Sequence, residues 1–261
     1  MENSQPQFLA VGEGASLRRI AYLQQFGQAA GVMWLQGFKS DMVSTKASAL
    51  SEWAIESGAA LTRFDYSGHG QSEGRFEDGT VSAWLAEAEA VFRQLTQGPQ
   101  ILVGSSMGGY LTMLLQRRLV DAAPADARRI VGIVLIAPAW DMTEALMWDE
   151  FPEDVRKQIL TAGVWERPSQ YGEPYPITRE LIEDGRRHLF AGSTWTPDCP
   201  VRIIQGRLDP DVPFDHSKRL LEIMSRADVE LIEVPDGEHR LSRPEDIDLL
   251  IRTIEAMRGQ A

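Results

Sequence analysis

Gln100-Ile101-Leu102-Val103-Gly104-Ser105-Ser106-Met107-Gly108-Gly109-Tyr110 is the stretch from which the rest of the chain is read. Ile101, Leu102 and Val103 form a short continuous apolar run, the mark of a strand buried on both faces. Gly104, Ser106 and Gly108 satisfy G-x-S-x-G. From Leu111 the apolar residues recur at Leu114, Leu115 and Leu119, a helical period. The motif therefore falls at a sharp strand-to-helix turn, which needs glycines on either side of a serine held in strained geometry. The helix N-terminus behind Ser106 favours negative charge. Ser106 is the candidate nucleophile.

Other strands and helices alternate around it. Leu17–Phe26, Val32–Leu35, Ala59–Asp65, Ile130–Ile136, Val201–Gln205 and Val229–Val234 read as strands. Thr80 is placed to cap an amphipathic helix whose inner face is Val81, Trp84, Leu85, Ala88, Val91, Phe92 and Leu95. Ser44 or Thr45 opens an earlier helix that Gly58 ends, and Pro244 opens the last one. This alternation predicts an α/β fold with a mostly parallel sheet and helices on both faces. Active sites in such sheets lie outside the carboxyl ends of the strands.

Between Trp140 and Pro200 the alternation breaks. The stretch holds Trp148, Phe151, Trp165, Tyr171, Tyr175, Phe190 and Trp195, with a helix expected at Leu181–Phe190. Residues 140–199 are read as a cap inserted over the strand ends, and 1–139 with 200–261 as the core. Trp148 and Trp165 are the candidate pocket residues, on the ground that so long an insertion in a compact domain has a function.

The chain has 261 residues, 43% of them hydrophobic, and a formal net charge of −12. That composition suits one large domain and argues against nucleic-acid partners and general attraction to anionic membranes. No apolar stretch approaches membrane-spanning length, so stable membrane insertion is not expected. One cysteine, Cys199, can form no internal disulfide and suits a reducing compartment. The opening Met-Glu-Asn-Ser-Gln-Pro shows no secretory or transit pattern, and a cytoplasmic, bacterial protein is expected.

A serine hydroxyl needs a base, and the base needs an orienting partner. In a sheet of this kind the chain order is serine, acid, histidine. Gly206-Arg207-Leu208-Asp209-Pro210-Asp211-Val212-Pro213 follows a strand, and Asp209 is preferred to Asp211 as the first carboxylate off it. His239 follows the last strand and is preferred to His69, His188 and His216, which are read as surface or loop-packing residues. No two histidines have metal-ligand spacing, so neither metal nor cofactor is expected. Two backbone donors for a developing oxyanion are expected at Met107 and at Phe38.

These residues resemble the α/β-hydrolase family. More narrowly, the chain resembles the branch holding a mitochondrial S-depalmitoylase and acyl-glucuronide esterase with its bacterial relatives. The likeness rests on Gly37 with Thr45-Lys46-Ala47, Arg63-Phe64-Asp65-Tyr66-Ser67-Gly68 and Gly98 to Gly109. It continues in Gly163-Val164-Trp165 with Pro168-Ser169, Asp209 with Val212-Pro213, and His239-Arg240. Many relatives have His-Gly where this chain has Gln36-Gly37, which keeps the backbone donor but alters the loop's side-chain support. The resemblance implies a serine hydrolase of apolar acyl esters or thioesters, small or protein-bound, acting through Ser106, Asp209 and His239. The alternatives are a non-catalytic binding protein of the same fold, or the same triad turned to carbon–carbon or peptide bonds. Nothing in the sequence indicates an oligomeric state.

Overall fold

The computed structural model describes residues 5–169, 172–224 and 228–259; Tyr171 and the first four residues, read above, lie outside these. The strands, in chain order, are β1 (Gln7–Val11), β2 (Arg18–Gln25), β3 (Gln28–Leu35), β4 (Ala59–Phe64), β5 (Gln100–Ser105) and β6 (Ile130–Ile136). They continue with β7 (Val164–Ser169), β8 (Gly172–Thr178), β9 (Val201–Gly206) and β10 (Val229–Val234). The helices are α1 (Thr45–Ser57), α2 (Val81–Leu95), α3 (Met107–Ala122), α4 (Pro124–Ala127), α5 (Glu153–Ala162), α6 (Arg179–Gly185), α7 (Phe214–Ile223) and α8 (Pro244–Arg258).

Eight strands form one sheet in the order β1-β2-β4-β3-β5-β6-β9-β10. β2 pairs antiparallel with β1 and β4, and the pairs from β4 to β10 are parallel. Alternate residues of the central strands serve opposite faces, as the pleat requires. Val32, Trp34, Ile101, Val103 and Val134 pack with Leu50 and Trp53 of α1 and Ile254 of α8. Met33, Leu35, Leu102, Ile133 and Leu135 pack with α2 and α3 on the other face. The chain thus has the expected α/β architecture, with β5 near its middle and Ser106 at that strand's carboxyl end.

Local expectations hold with some shifts. Thr80 Oγ1 accepts the Ala83 N–H at 3.1 Å and caps α2. Ser44 stands at the N-cap of α1 without a side-chain cap bond, and Gly58 ends that helix in the left-handed region at φ 66°. Between β6 and β9 the chain forms a π-helical stretch (Met142–Trp148), α5, the antiparallel hairpin β7–β8, and α6. The helix expected at Leu181–Phe190 is shifted. α6 ends at Gly185, and the Phe190 and Ala191 N–H groups turn to donate to the buried Asp141 carboxylate at 2.7 and 2.8 Å.

Candidate active site

Ser106 has φ 55° and ψ −118°, a conformation that costs a side-chain-bearing residue free energy and persists only where the surroundings impose it. They do so here by close approach. A Cβ on Gly104 would lie 2.3 Å from the Gly108 carbonyl oxygen, and one on Gly108 would lie 2.0 Å from that of Leu35. Two glycines let α3 press against β5 and β3, so the turn between strand and helix is tight. Ser106 Oγ is carried out beyond the strand ends.

The structure brings Asp209 and His239 to that hydroxyl. His239 Nε2 lies 3.1 Å from Ser106 Oγ, and His239 Nδ1 lies 2.8 Å from Asp209 Oδ2. The Asp209 side chain is fully buried and His239 is 21% exposed, so the acid is shielded while the base can reach a ligand. Asp209 Oδ1 accepts the backbone N–H groups of Asp211 (2.9 Å) and Val212 (2.8 Å), and Oδ2 also accepts Gln205 Nε2 at 3.2 Å. Four donors therefore fix the carboxylate, with Oδ2 turned to the imidazole. Asp211 contributes its backbone N–H to this arrangement. Gln205 ends the apolar run of β9. Its amide also donates to the Gly206 and Val212 carbonyls and accepts from Ser217 Oγ. Sequence reading passed over it; a glutamine closing a buried strand was the available signal.

Asp209, Asp211 and His239 could bring three ligand atoms within 4.8 Å of one another. The lone pairs of Asp209 are already engaged by the four donors above, so these residues do not fit a resident metal.

Gly37 lies over the serine: a Cβ there would stand 3.3 Å from both Ser106 Cβ and the Ser105 carbonyl oxygen. Among the described residues, neither Phe38 N–H nor Met107 N–H donates to a protein acceptor, so both can serve an incoming oxygen. Gln36 supplies the loop's support. Its Nε2 donates to the Ser40 carbonyl and to Asp65 Oδ1, both at 3.2 Å, and Asp65 Oδ1 also accepts Met42 N–H at 2.7 Å. The Phe38 ring is boxed edge-on by Phe76 (4.8 Å), Tyr175 of β8 (5.7 Å), Trp84 (5.8 Å) and His69 (6.3 Å).

Trp148 and Trp165 are half-buried against the same core cluster as Phe38 and Tyr175. Their ring contacts are with Arg186 (4.9 Å) and Phe151 (5.0 Å). A cavity of about 760 Å³ between β8, α6 and the 76–78 turn is lined by charged residues such as Arg75, Glu166 and Glu180, and by none of Ser106, Asp209 and His239.

Of the other histidines, read as surface or loop-packing residues, His69 packs inside its loop, and none of the three lies on the open surface. His69 and His216 are buried, and desolvation pulls both down to about 4. His216 Nε2 donates to the Trp140 carbonyl at 2.9 Å. His188 is half-buried beside Ser82 and Asp184. Cys199 is buried and pushed up to about 12 by desolvation, which suits a packing role.

A strand-turn-helix serine meeting a histidine and a buried aspartate from successive strand ends defines an α/β-hydrolase. The family model for the alpha/beta hydrolase family matches residues 33–248, and the chain belongs to that family. It is 35% identical over 241 residues to the mitochondrial palmitoyl-protein thioesterase ABHD10 of Bos taurus, covering 92% of this chain and 76% of the relative. The solved structure of mouse alpha/beta hydrolase domain-containing protein 10 superposes with a TM-score of 0.85 at 31% identity, covering 98% and 99% of the two chains. A solved structure from Agrobacterium vitis S4, itself proposed to be a hydrolase, gives 0.93 at 41% identity, covering 97% and 98%. Among the described residues no helix is long and apolar enough to cross a membrane.

Proposed function

We propose that the chain hydrolyses esters or thioesters of apolar acyl groups through Ser106, His239 and Asp209. The observation that carries this reading is the 3.1 Å and 2.8 Å relay from Ser106 Oγ through His239 to Asp209 at a strained turn. Ser106 Oγ attacks the acyl carbonyl carbon as its proton passes to His239 Nε2. The carbonyl oxygen becomes an oxyanion facing the Phe38 and Met107 N–H groups. The C–O or C–S bond then breaks, and His239 gives its proton to the leaving alcohol or thiol. Water yields a proton to the same imidazole and attacks the acyl-serine ester; collapse returns the proton to Ser106 and releases the acid.

Residues 140–199 form the cap in this reading. Tyr175 supports the assignment, because it brings the β7–β8 hairpin onto the ring of the proposed oxyanion donor Phe38. Phe38, Phe76 and Tyr175 are the proposed acyl-binding wall, with Trp148 and Trp165 further candidates from the same segment. The thioesterase named among the relatives supports an acyl thioester, small or protein-bound, as substrate. The single cysteine, buried and unpaired, fits the reducing cytoplasm in which we place the protein.

Intact-mass measurement after fluorophosphonate treatment tests the nucleophile. One adduct on the wild type, lost in Ser106→Ala, is expected. A folded wild type that takes no adduct would move the binding-protein alternative ahead. A panel of acyl thioesters, oxyesters, peptides and carbon–carbon substrates separates the bond classes.

A further inference from the structure

Lys46 takes no part in the chemistry above, yet its side chain reaches from α1 to the loop that carries His239. It is the second residue of α1, just beyond the loop that carries Gly37 and Phe38. Its Nζ donates to the carbonyl of Arg240, the residue after His239, and to Ser242 Oγ at 3.3 Å. These partners lie 194 and 196 residues further along the chain. Ser242 Oγ donates to the same Arg240 carbonyl at 2.8 Å, so that oxygen is held from two sides.

The His239 loop has reason to need this. Between Val234 and Pro244 it forms no helix or strand, and Leu241 sits at φ 41°, unfavourable for a bulky residue. Arg243 fastens the ends of the loop, bonding Asp236 at 2.7 Å and Asp246 at 2.9 Å. Lys46 fastens its middle, one peptide from the imidazole.

We propose that Lys46 is a positioning residue: by gripping the Arg240 carbonyl it fixes the backbone that aims His239 Nε2 at Ser106 Oγ. The inference rests on the triad reading above. Lys46 also belongs to α1, so one side chain links the histidine loop to the element that follows the oxyanion loop. The position is electrostatically unfavourable for a lysine. Burial and, to a lesser degree, the Arg240 guanidinium lower its pKa to about 8, against the opposing pull of Asp246. An ammonium held against these effects forms charge-assisted bonds to Arg240 and Ser242 that a solvated lysine would not form.

The test compares Lys46→Met, Lys46→Arg and wild type on p-nitrophenyl butyrate. Lys46→Met is expected to lower kcat about 10- to 100-fold with KM changed less than about threefold, because a charged hydrogen bond is lost away from the acyl group. Lys46→Arg should restore most of kcat. Above pH 8 the wild type should lose kcat as Nζ loses its proton, while Lys46→Arg holds. Ser242→Ala removes one partner from the loop side without touching α1. It should lower kcat by a smaller factor, and it decides the matter if Lys46→Met does not fold. Wild-type kcat in Lys46→Met, or in Ser242→Ala where the former is unfolded, overturns the proposal, as do equal losses in Lys46→Met and Lys46→Arg. A wild type that is not labelled at Ser106 by fluorophosphonate is a different result, and it removes the triad reading itself.

Discussion

Asp209 Oδ2 lies 2.8 Å from His239 Nδ1 while its Oδ1 accepts two backbone N–H groups. The two oxygens thus have separate duties, one toward the base and one toward the loop. Asp209→Asn keeps an oxygen for the loop but sets an amide against the imidazole, favouring the wrong tautomer. The expected result is a fall in kcat of about 10⁴-fold with melting temperature little changed. Steady-state kinetics on a p-nitrophenyl ester, alongside Asp211→Asn, checks it. If Asp211→Asn is the crippled variant and Asp209→Asn is active, the acid is misassigned.

Tyr175 touches the rings of Phe38 and Phe76, and Lys39 Nζ lies 4.7 Å from its ring centroid. If this wall receives the acyl chain, each buried methylene contributes about 0.8 kcal/mol. kcat/KM should then climb from acetyl to octanoyl thioesters in the wild type. In Tyr175→Ala the octanoyl value should drop about tenfold while acetyl stays within about twofold. A flat wild-type series would remove the apolar wall from the mechanism.

Much of this site was legible because its signals are local. The run Ile101 to Val103, the glycines about Ser106 and the helical period after Leu111 lie within twenty residues of one another. Asp209 and His239 were found by chain order, each off the end of a recognisable strand. What escaped has no local period. β1 is an edge strand that shows little alternation in burial. The hairpin β7–β8 carries Pro168, Pro174 and Pro176, which argue against a strand in any sequence reading. Gln205 and Lys46 act through partners fixed by the tertiary fold. So does Glu87, fully buried on α2, which pairs with Arg18 and accepts the Ser67 N–H at 2.8 Å. A charged residue on the inner face of an amphipathic helix gives no sign of where its partner will come from.

Gly37 and Gly108 should respond differently to the same change. Gly108→Ala places a methyl 2.0 Å from the Leu35 carbonyl oxygen, backbone that cannot move aside without parting α3 from β3. A loss of about 3 kcal/mol in unfolding free energy is expected, read by urea denaturation. Gly37→Ala meets Ser106 Cβ at 3.3 Å and Ser106 Oγ at 4.0 Å, a milder contact at the serine. It should leave stability within about 1 kcal/mol and lower kcat at least about tenfold, by crowding the space where the oxyanion forms. Equal activity in Gly37→Ala and wild type would place the oxyanion elsewhere.

Stability on the acid side should depend on buried histidine. His216 falls from 6.5 to about 4 because burial disfavours its charged form, and the nearby Arg219 guanidinium adds to this; the bond to the Trp140 carbonyl opposes it. A depressed folded-state value means that the unfolded chain binds the proton first. The contribution is therefore fully present above pH 6.5 and is lost as pH falls toward 4, at most roughly 3 kcal/mol for the full shift. Asp65, Glu87 and Asp141 are raised by burial and act in the opposite sense. Only a difference between variants isolates the histidine. Urea denaturation of wild type and His216→Gln from pH 4 to 7 should give a shallower acid loss in the variant, by up to about 1.4 kcal/mol per pH unit in the steepest region. Parallel curves across that range would mean that His216 is protonated alike in the folded and unfolded chains, and that its burial beside Trp140 has no linkage to acid unfolding.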